Sequence, residues 1–150
     1  MVTDTAGGGQ GMSPQGLRAA DAGQTGLTVP LDTHPSAAAT ARRAVGDALR
    51  VFGMSDELVD DLLLVTSELV TNAVEHSAGV DHLELAIDRD ALLVRVYDRG
   101  PGLPAIRLSA PGSARSRGLR LVDALATGWG YAEYEGGKYV WAEFTRKAHD

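Results

Sequence analysis

A carboxylate and an amide stand four residues apart in the segment VTSELVTNAVEHSAG, at Glu68 and Asn72. On a helix, positions four apart lie about 40° apart around the axis and about 6 Å along it, so both side chains share one face. Val65, Leu69 and Ala73 would form the adjoining buried stripe. The pair would then lie at the edge of the core, where a desolvated site can form. The alternative is a solvated polar face, because Glu is a common surface residue of helices.

A second candidate site directly follows an apolar strand, in the segment DRGPG at residues 98–102. Asp98 at the strand end offers an acceptor to an exocyclic amine. Gly100 and Gly102 permit a positive φ and let a ligand approach the backbone closely. The pattern therefore favours a nucleotide site, with a plain loop as the alternative.

The third signal is a local excess of positive charge in an acidic chain. Between Arg99 and Val122 the sequence has no acidic residue and five arginines, which are Arg99, Arg107, Arg115, Arg117 and Arg120. The pattern predicts a helix that begins at Gly118. A helix N-terminus supplied with arginine binds phosphate through its free backbone N–H groups, although arginines on a loop can also be merely solvated.

The composition limits the classes of protein to which these signals can belong. A chain of 150 residues, 44% of them hydrophobic, is long enough for one domain with a real core. It has no cysteine, so disulfides and thiolate chemistry are excluded. A net charge of -6 argues against broad binding to nucleic acid. No run approaches the roughly 20 apolar residues that span a bilayer. We expect a cytoplasmic protein with no direct contact to nucleic acid or membrane.

The pattern along the chain predicts how these residues are positioned. Residues 1–26 are rich in glycine and poor in large apolar residues, so we expect a disordered tail, followed by one domain over 27–147. The predicted elements are an edge strand (27–32), a helix capped by Ser36 and stopped by Gly53, a helix from Ser55 to His76, a hairpin (82–88 and 91–98), a third helix (118–127) and a second hairpin (129–135 and 139–146). Helices grouped against a mostly antiparallel sheet predict an α+β two-layer sandwich with the helices on one face. Both tryptophans are expected to pack in the core or on the sheet.

These motifs, in this order, resemble those of the histidine-kinase-like ATPase superfamily, the GHKL or Bergerat fold. Within it they resemble the small serine/threonine kinases that act as anti-sigma factors. ELVTNAVEHS resembles the asparagine box, DRGPG the first glycine box, SRGLRLVDALATGWGY the second, and GKYVWAEF the closing strand. The resemblance covers residues 28–146, which is nearly all of the chain outside the expected tail.

The resemblance implies a role for each candidate residue. Glu68 corresponds to the general base, Asn72 to the Mg²⁺ ligand that bridges to the ATP phosphates, and Asp98 to the acceptor of the adenine amino group. Gly100 and Gly102 correspond to the hinge at the mouth of the pocket, and residues 103–117 to the ATP lid.

The phosphate end of the implied site lies farther along the chain. Gly118 and Leu119 correspond to the turn beneath the phosphates, with Arg117 among the neutralising lid arginines. His76 is a further candidate for the phosphates, with a helix-end histidine stabilised by the helix dipole as the alternative.

The implied activity is ATP-dependent phosphorylation of an anti-sigma-factor antagonist by a protein that also binds a sigma factor. The alternative is a non-catalytic ATP-binding module that switches partners through its lid. Two positions depart from the family pattern: Ser116 replaces a glycine of the second glycine box, and Tyr139 replaces a threonine that follows the lysine of the closing strand. The oligomeric state is left open between a monomer and a homodimer.

Overall fold

A computed structural model describes residues 3–6, 25–76, 78–99 and 114–146. Nine elements lie in these ranges. The strands are β1 (Thr3–Ala6), β2 (Thr25–Pro30), β3 (Gly79–Ile87), β4 (Ala91–Arg99), β5 (Gly128–Tyr134) and β6 (Gly137–Thr145), and the helices are α1 (Ala37–Val51), α2 (Asp56–His76) and α3 (Ala114–Leu125).

The described strands form one sheet in the order β1-β5-β6-β4-β3-β2, and every neighbouring pair is antiparallel. A single core cluster joins residues of α1, α2 and α3 to one face of this sheet. The predicted α+β sandwich with helices on one face is therefore confirmed. We call this face the helix face.

The disordered tail expected over residues 1–26 is described only at residues 3–6 and 25–26, and both of these pieces are strands. Thr3–Ala6 pair with β5 as an edge strand, and Thr25 and Gly26 begin β2. Strand pairing satisfies backbone groups whatever the side chains are, so a segment without large apolar residues can still join a sheet edge. The other residues of 1–24 lie outside the described ranges.

Helices α1 and α2 begin and end close to the predicted positions. Gly53 follows α1 with a φ of 70°, a conformation that glycine adopts without strain. The Ser55 hydroxyl accepts a hydrogen bond from the Leu58 N–H at 3.2 Å and so caps α2. Ser36 occupies the N-cap of α1 without a side-chain cap bond. Its hydroxyl instead lies 2.8 Å from Nδ1 of His34.

Helix α3 begins at Ala114, four residues before the predicted start at Gly118. Ala114, Arg115 and Arg117 are good helix formers, and a single glycine inside a helix costs only about 1 kcal/mol. The N–H of Gly118 therefore lies in the second turn rather than among the free donors of the first turn. The prediction that Gly118 opens this helix is wrong.

The opposite face of the sheet, which we call the far face, carries a second apolar cluster. Leu93, Ala132, Tyr139 and Trp141 form it, and no helix residue takes part. Successive residues of a strand point to opposite faces. The side chain of Trp141 therefore points to the far face, whereas those of Val140 and Ala142 point to the helix face. Both faces of β6 are therefore buried.

Candidate nucleotide site

Asn72 is a buried amide in the last quarter of α2. Its side chain is 4% exposed, beside the fully buried Leu69. Its Oδ1 has no hydrogen-bond partner in the part of the chain that the structure describes. A buried acceptor without a partner costs about 1–3 kcal/mol, so it points to a ligand that would satisfy it. The alternative of a solvated polar face does not hold for Asn72.

Glu68 lies one turn before Asn72 on the same side of α2. It is half-buried, whereas Val65 and Leu69 are buried. A carboxylate at the rim of the core can reach both water and a bound ligand. The structure thus puts the carboxylate and the amide together as the four-residue spacing predicts.

Asp98 lies near the end of β4 on the helix face. Val94 and Val96, four and two residues earlier on the same strand, point to the same face and belong to the core cluster that includes residues of α2. Asp98 as a whole residue is 2% exposed. Its Oδ1 accepts a hydrogen bond from Nζ of Lys138 at 2.9 Å, and its backbone oxygen accepts one from the Tyr134 hydroxyl at 3.4 Å.

Burial and pairing act on the Asp98 carboxyl in opposite directions. Burial raises the pKa of Asp98 above its ordinary value, and the Lys138 ammonium lowers it by a smaller amount. Lys138 therefore supports the charged form of Asp98. A carboxylate has about four lone-pair positions, so an acceptor for a nucleobase amine remains when Lys138 uses one.

Gly137 allows β6 to pass close to Asp98. A Cβ built at Gly137 would collide with the backbone carbonyl oxygen of Asp98. Gly136 precedes it in the hairpin turn with a φ of 101°. The two glycines thus serve different purposes, since Gly136 supplies the turn conformation and Gly137 the close approach.

The remaining predicted site residues are only partly described. His76 is the last residue of α2, and its side chain is not described. Gly100 and Gly102 lie outside the described ranges, as does most of the predicted lid. The predicted residues of the phosphate end belong to α3, and their side chains are not described; they are Arg117, Gly118 and Leu119.

Lys138 is a residue of the candidate site that the sequence motifs did not predict. Its signal is the alternation along β6, in which Lys138 shares a face with Val140, Ala142 and Phe144. A lysine on an otherwise apolar strand face predicts a buried partner, because an unpaired ammonium is seldom fully buried.

Tyr139 has a different place from the one its motif position suggests. It lies on the far face, 4.9 Å from Tyr97 between ring centroids, whereas Asp98 and Lys138 lie on the helix face. The departure at Tyr139 therefore changes the far face and not the contacts of Asp98.

The described residues suit Mg²⁺ only in company with a nucleotide. No group of three or more His, Asp or Glu side chains in the described ranges is placed to hold a metal ion. Mg²⁺ is commonly held by one or two protein oxygens together with phosphate and water oxygens. The unpartnered Oδ1 of Asn72 fits such a site.

The comparison with known families decides which fold family this arrangement represents. The family described as "Histidine kinase-like ATPase domain" matches residues 31–144. The chain belongs to this family. The match begins after β2 and ends in β6, so it contains α2, β4 and the ion pair of this ATPase domain. A histidine kinase-like ATPase domain binds ATP, and the buried polar residues lie within the matched region.

A solved structure has a similar fold. The crystal structure of the RsbU and RsbW domains of a Mycobacterium tuberculosis protein matches with a TM-score of 0.63 and 24% sequence identity. The match covers 83% of this ATPase domain's chain and 34% of that chain. The chain therefore spans about a third of the length of that protein. No curated protein matched the chain in sequence. No helix in the described ranges is long and apolar enough to cross a membrane.

Proposed function

We propose that this ATPase domain is an ATP-dependent protein serine/threonine kinase of the anti-sigma-factor type. It binds a sigma factor in the cytoplasm and phosphorylates an anti-sigma-factor antagonist. The observation that carries the proposal is the buried, unpartnered Oδ1 of Asn72 one helical turn from Glu68. The family match and the RsbW-containing neighbour of similar fold support it.

The nucleotide would lie between α2 and the ends of β4 and β6. Asp98 accepts the hydrogen bond of the adenine amino group, and Lys138 holds the Asp98 carboxylate in place. Asn72 Oδ1 would be the protein ligand of Mg²⁺, and the ion would neutralise phosphate charge. Gly100 and Gly102 form the hinge of a lid over residues 103–117.

The phosphate end requires an adjustment to the role expected of Gly118. Because α3 begins at Ala114, its free backbone N–H groups belong to residues 114–117. Arg117 would neutralise the phosphates from this first turn. Gly118, Leu119 and His76 remain proposed neighbours of the phosphates.

Glu68 would act as the general base in the transfer. The hydroxyl oxygen of the antagonist's serine or threonine forms a bond to the γ-phosphorus, and the bond from that phosphorus to the bridging oxygen of ADP breaks. The hydroxyl proton moves to the Glu68 carboxylate. Half-burial suits this role, because Glu68 must meet a substrate that arrives from solvent.

The second candidate is a non-catalytic ATP-binding module that switches partners. The start of α3 at Ala114 favours it, since Gly118 then does not supply a free N–H beneath the phosphates. Ser116 in place of the family's glycine also favours the non-catalytic module, because serine restricts the backbone more than glycine does.

Phosphate transfer from labelled ATP to the antagonist tests the choice between the two candidates. Glu68→Gln keeps size and helix propensity, so nucleotide affinity should persist while transfer slows by on the order of 10²–10⁴. The matched control is Glu57→Gln, three turns earlier on α2, which should leave transfer unchanged. Equal transfer by wild type and Glu68→Gln would remove Glu68 as the base. Absence of transfer by the wild type would favour the non-catalytic module.

Calorimetry tests the adenine contact. Asp98→Asn replaces a charge-assisted acceptor with a group that also presents a donor, and should weaken ATP binding by about 1–3 kcal/mol. GTP, which lacks the amino group at that position, should bind weakly to both proteins. An unchanged ATP affinity in a folded Asp98→Asn protein would remove Asp98 from the adenine site.

A further inference from the structure

The far face is buried although no described helix packs against it. Trp141 and Leu93 are each 1% exposed, and Ala132 is fully buried. All described helix residues of the core belong to the cluster on the helix face. Tryptophan is seldom fully buried, and a bare sheet face leaves its rings partly accessible to water.

The burial of the far face changes across the sheet. On β2 the far-face residues Thr28 and Pro30 are exposed, and on β3 His82 and Glu84 are half-buried. On β6 Trp141 is buried. β2 is an edge strand, which accounts for part of this gradient. It does not account for the burial of Leu93, Ala132 and Trp141, because an open sheet face leaves such side chains accessible to water. Something covers the part of the far face around these three residues.

We propose that residues 7–24 of this same chain cover this part of the far face as an intramolecular docking segment. The proposal does not depend on kinase activity. This segment is assigned to the far face because of where the described chain stops and resumes. β1 stops at Ala6 on one edge of the sheet, and β2 begins at Thr25 on the opposite edge.

The register shows where the segment leaves the sheet. Ala6 lies opposite Gly130, and Gly130 lies opposite Trp141. The last residue of β1 therefore lies in the same cross-strand row as Trp141. At Thr25 the chain rejoins the sheet opposite Ile87. A path between the two points over the far face passes the buried rings directly.

The length of the segment suits this path. Six strands place the two edge strands about 24 Å apart. Residues 7–24 can extend to roughly 60 Å, which spans that distance with chain to spare for turns. The helix face offers no comparable path, because helices about 10 Å thick already cover it.

Composition and connectivity separate this segment from the other undescribed stretches. Half of residues 7–24 are glycine or alanine, with Met12 and Leu17 as larger apolar residues, so the backbone can lie close against aromatic rings. Residues 100–113 lead from β4 to α3, which packs on the helix face. Residues 147–150 are KAHD and offer no large apolar side chain.

The test measures contact between the segment and Trp141 in the full chain. The chain has no cysteine, so Gln15→Cys accepts a single bimane label, whose emission is quenched by contact with tryptophan. The matched control is Asp60→Cys, labelled on the exposed surface of α2. We expect a several-fold loss of emission at position 15 relative to position 60, and recovery of that loss in a Gln15→Cys/Trp141→Phe protein.

Each outcome decides for or against the segment. Equal emission at both positions, or a loss that Trp141→Phe does not relieve, would overturn the proposal. A second copy of the chain is the other candidate occupant. An excess of unlabelled Trp141→Phe chain would then relieve the quenching, and this result would assign the far face to a homodimer and also overturn the proposal. Quenching that persists under this excess is the result that supports an intramolecular cover.

Discussion

Lys138 Nζ lies 2.9 Å from Asp98 Oδ1, and the two side chains are 6% and 3% exposed. They form a buried ion pair across the β4–β6 register, in which Asp98 lies directly opposite Lys138. Two charges taken out of water are tolerated only together, because each would be strongly destabilising without the other. The proposed adenine acceptor and the stability of the sheet therefore depend on the same pair.

Lys138→Met should lower the free energy of unfolding by about 3–5 kcal/mol, because it leaves the Asp98 carboxylate buried without a partner. Urea denaturation measures the loss. The matched control is the double variant Asp98→Leu/Lys138→Met, which replaces both charges with apolar groups and should recover most of the stability. Equal losses in the single and double variants would contradict the account of the pair.

The loss in Lys138→Met should depend on pH. Burial raises the pKa of Asp98, and removal of Lys138 raises it further. A carboxyl whose folded pKa is raised contributes stability that is fully present below its unfolded pKa, about 3.9, and is lost as pH rises through the folded pKa. The difference between variant and wild type should therefore shrink as pH falls from 7 toward 4. A difference that grows over this range would count against a carboxylate as the destabilising group.

Asn72→Ala should lower the free energy of unfolding of the nucleotide-free protein by no more than about 1 kcal/mol, because the removal of a buried acceptor without a partner offsets the packing lost with the amide. The same change should abolish the dependence of ATP binding on Mg²⁺, since the proposed ligand is removed. Thermal unfolding and calorimetry with and without Mg²⁺ measure the two effects. Thr71→Ala, at the preceding position, is the control for binding. Wild-type Mg²⁺ dependence in Asn72→Ala would place the metal elsewhere.

Gly137→Ala should destabilise the protein by about 1–3 kcal/mol, because the added Cβ collides with the Asp98 carbonyl oxygen and must push β6 away from β4. ATP affinity should fall as well, since the ion pair spans the same two strands. The control is Gly26→Ala, whose Cβ would lie 3.7 Å from the nearest atom, an ordinary contact. Chemical denaturation should separate the two variants, and equal stabilities would refute the close approach.

Glu143→Gln should stabilise the protein at pH 7 by on the order of 1 kcal/mol. Glu143 is 7% exposed on the far-face side of β6, and burial raises the pKa of its carboxyl. Stability from this group is present below its unfolded pKa, about 4.3, and is lost as pH rises through the folded pKa. The gain should therefore disappear near pH 4. Glu133→Gln, at an exposed position of β5, should show no gain at either pH.

The helices and hairpins were predictable because their signals are local. Ser55 and Gly53 mark helix boundaries through their own side chain or backbone, and both act as predicted. The start of α3 was not predictable in this way. Gly118 has a low helix propensity and suggested a boundary, but the residues before it favour a helix, and the packing of Val122 in the core stabilises the whole element.

The positions of the candidate site residues in the fold were predictable, but the partner of Asp98 was not. Residue spacing places Glu68 and Asn72 on one helix face, and the end of an apolar strand marks Asp98. The pairing of Asp98 with Lys138 depends on the β4–β6 register, which joins positions 40 residues apart. Such a long-range partner is visible in a single sequence only as a charged residue on an apolar strand face.

The short outer strands of the sheet have a consequence for solubility. β1 has four residues and β2 has six, and β2 ends at Pro30, which has no N–H to offer another strand. A long, regular edge would serve as a template for fibril growth, whereas a short edge closed by proline gives an incoming strand few hydrogen bonds. The sheet is thereby protected at both edges against aggregation through added strands.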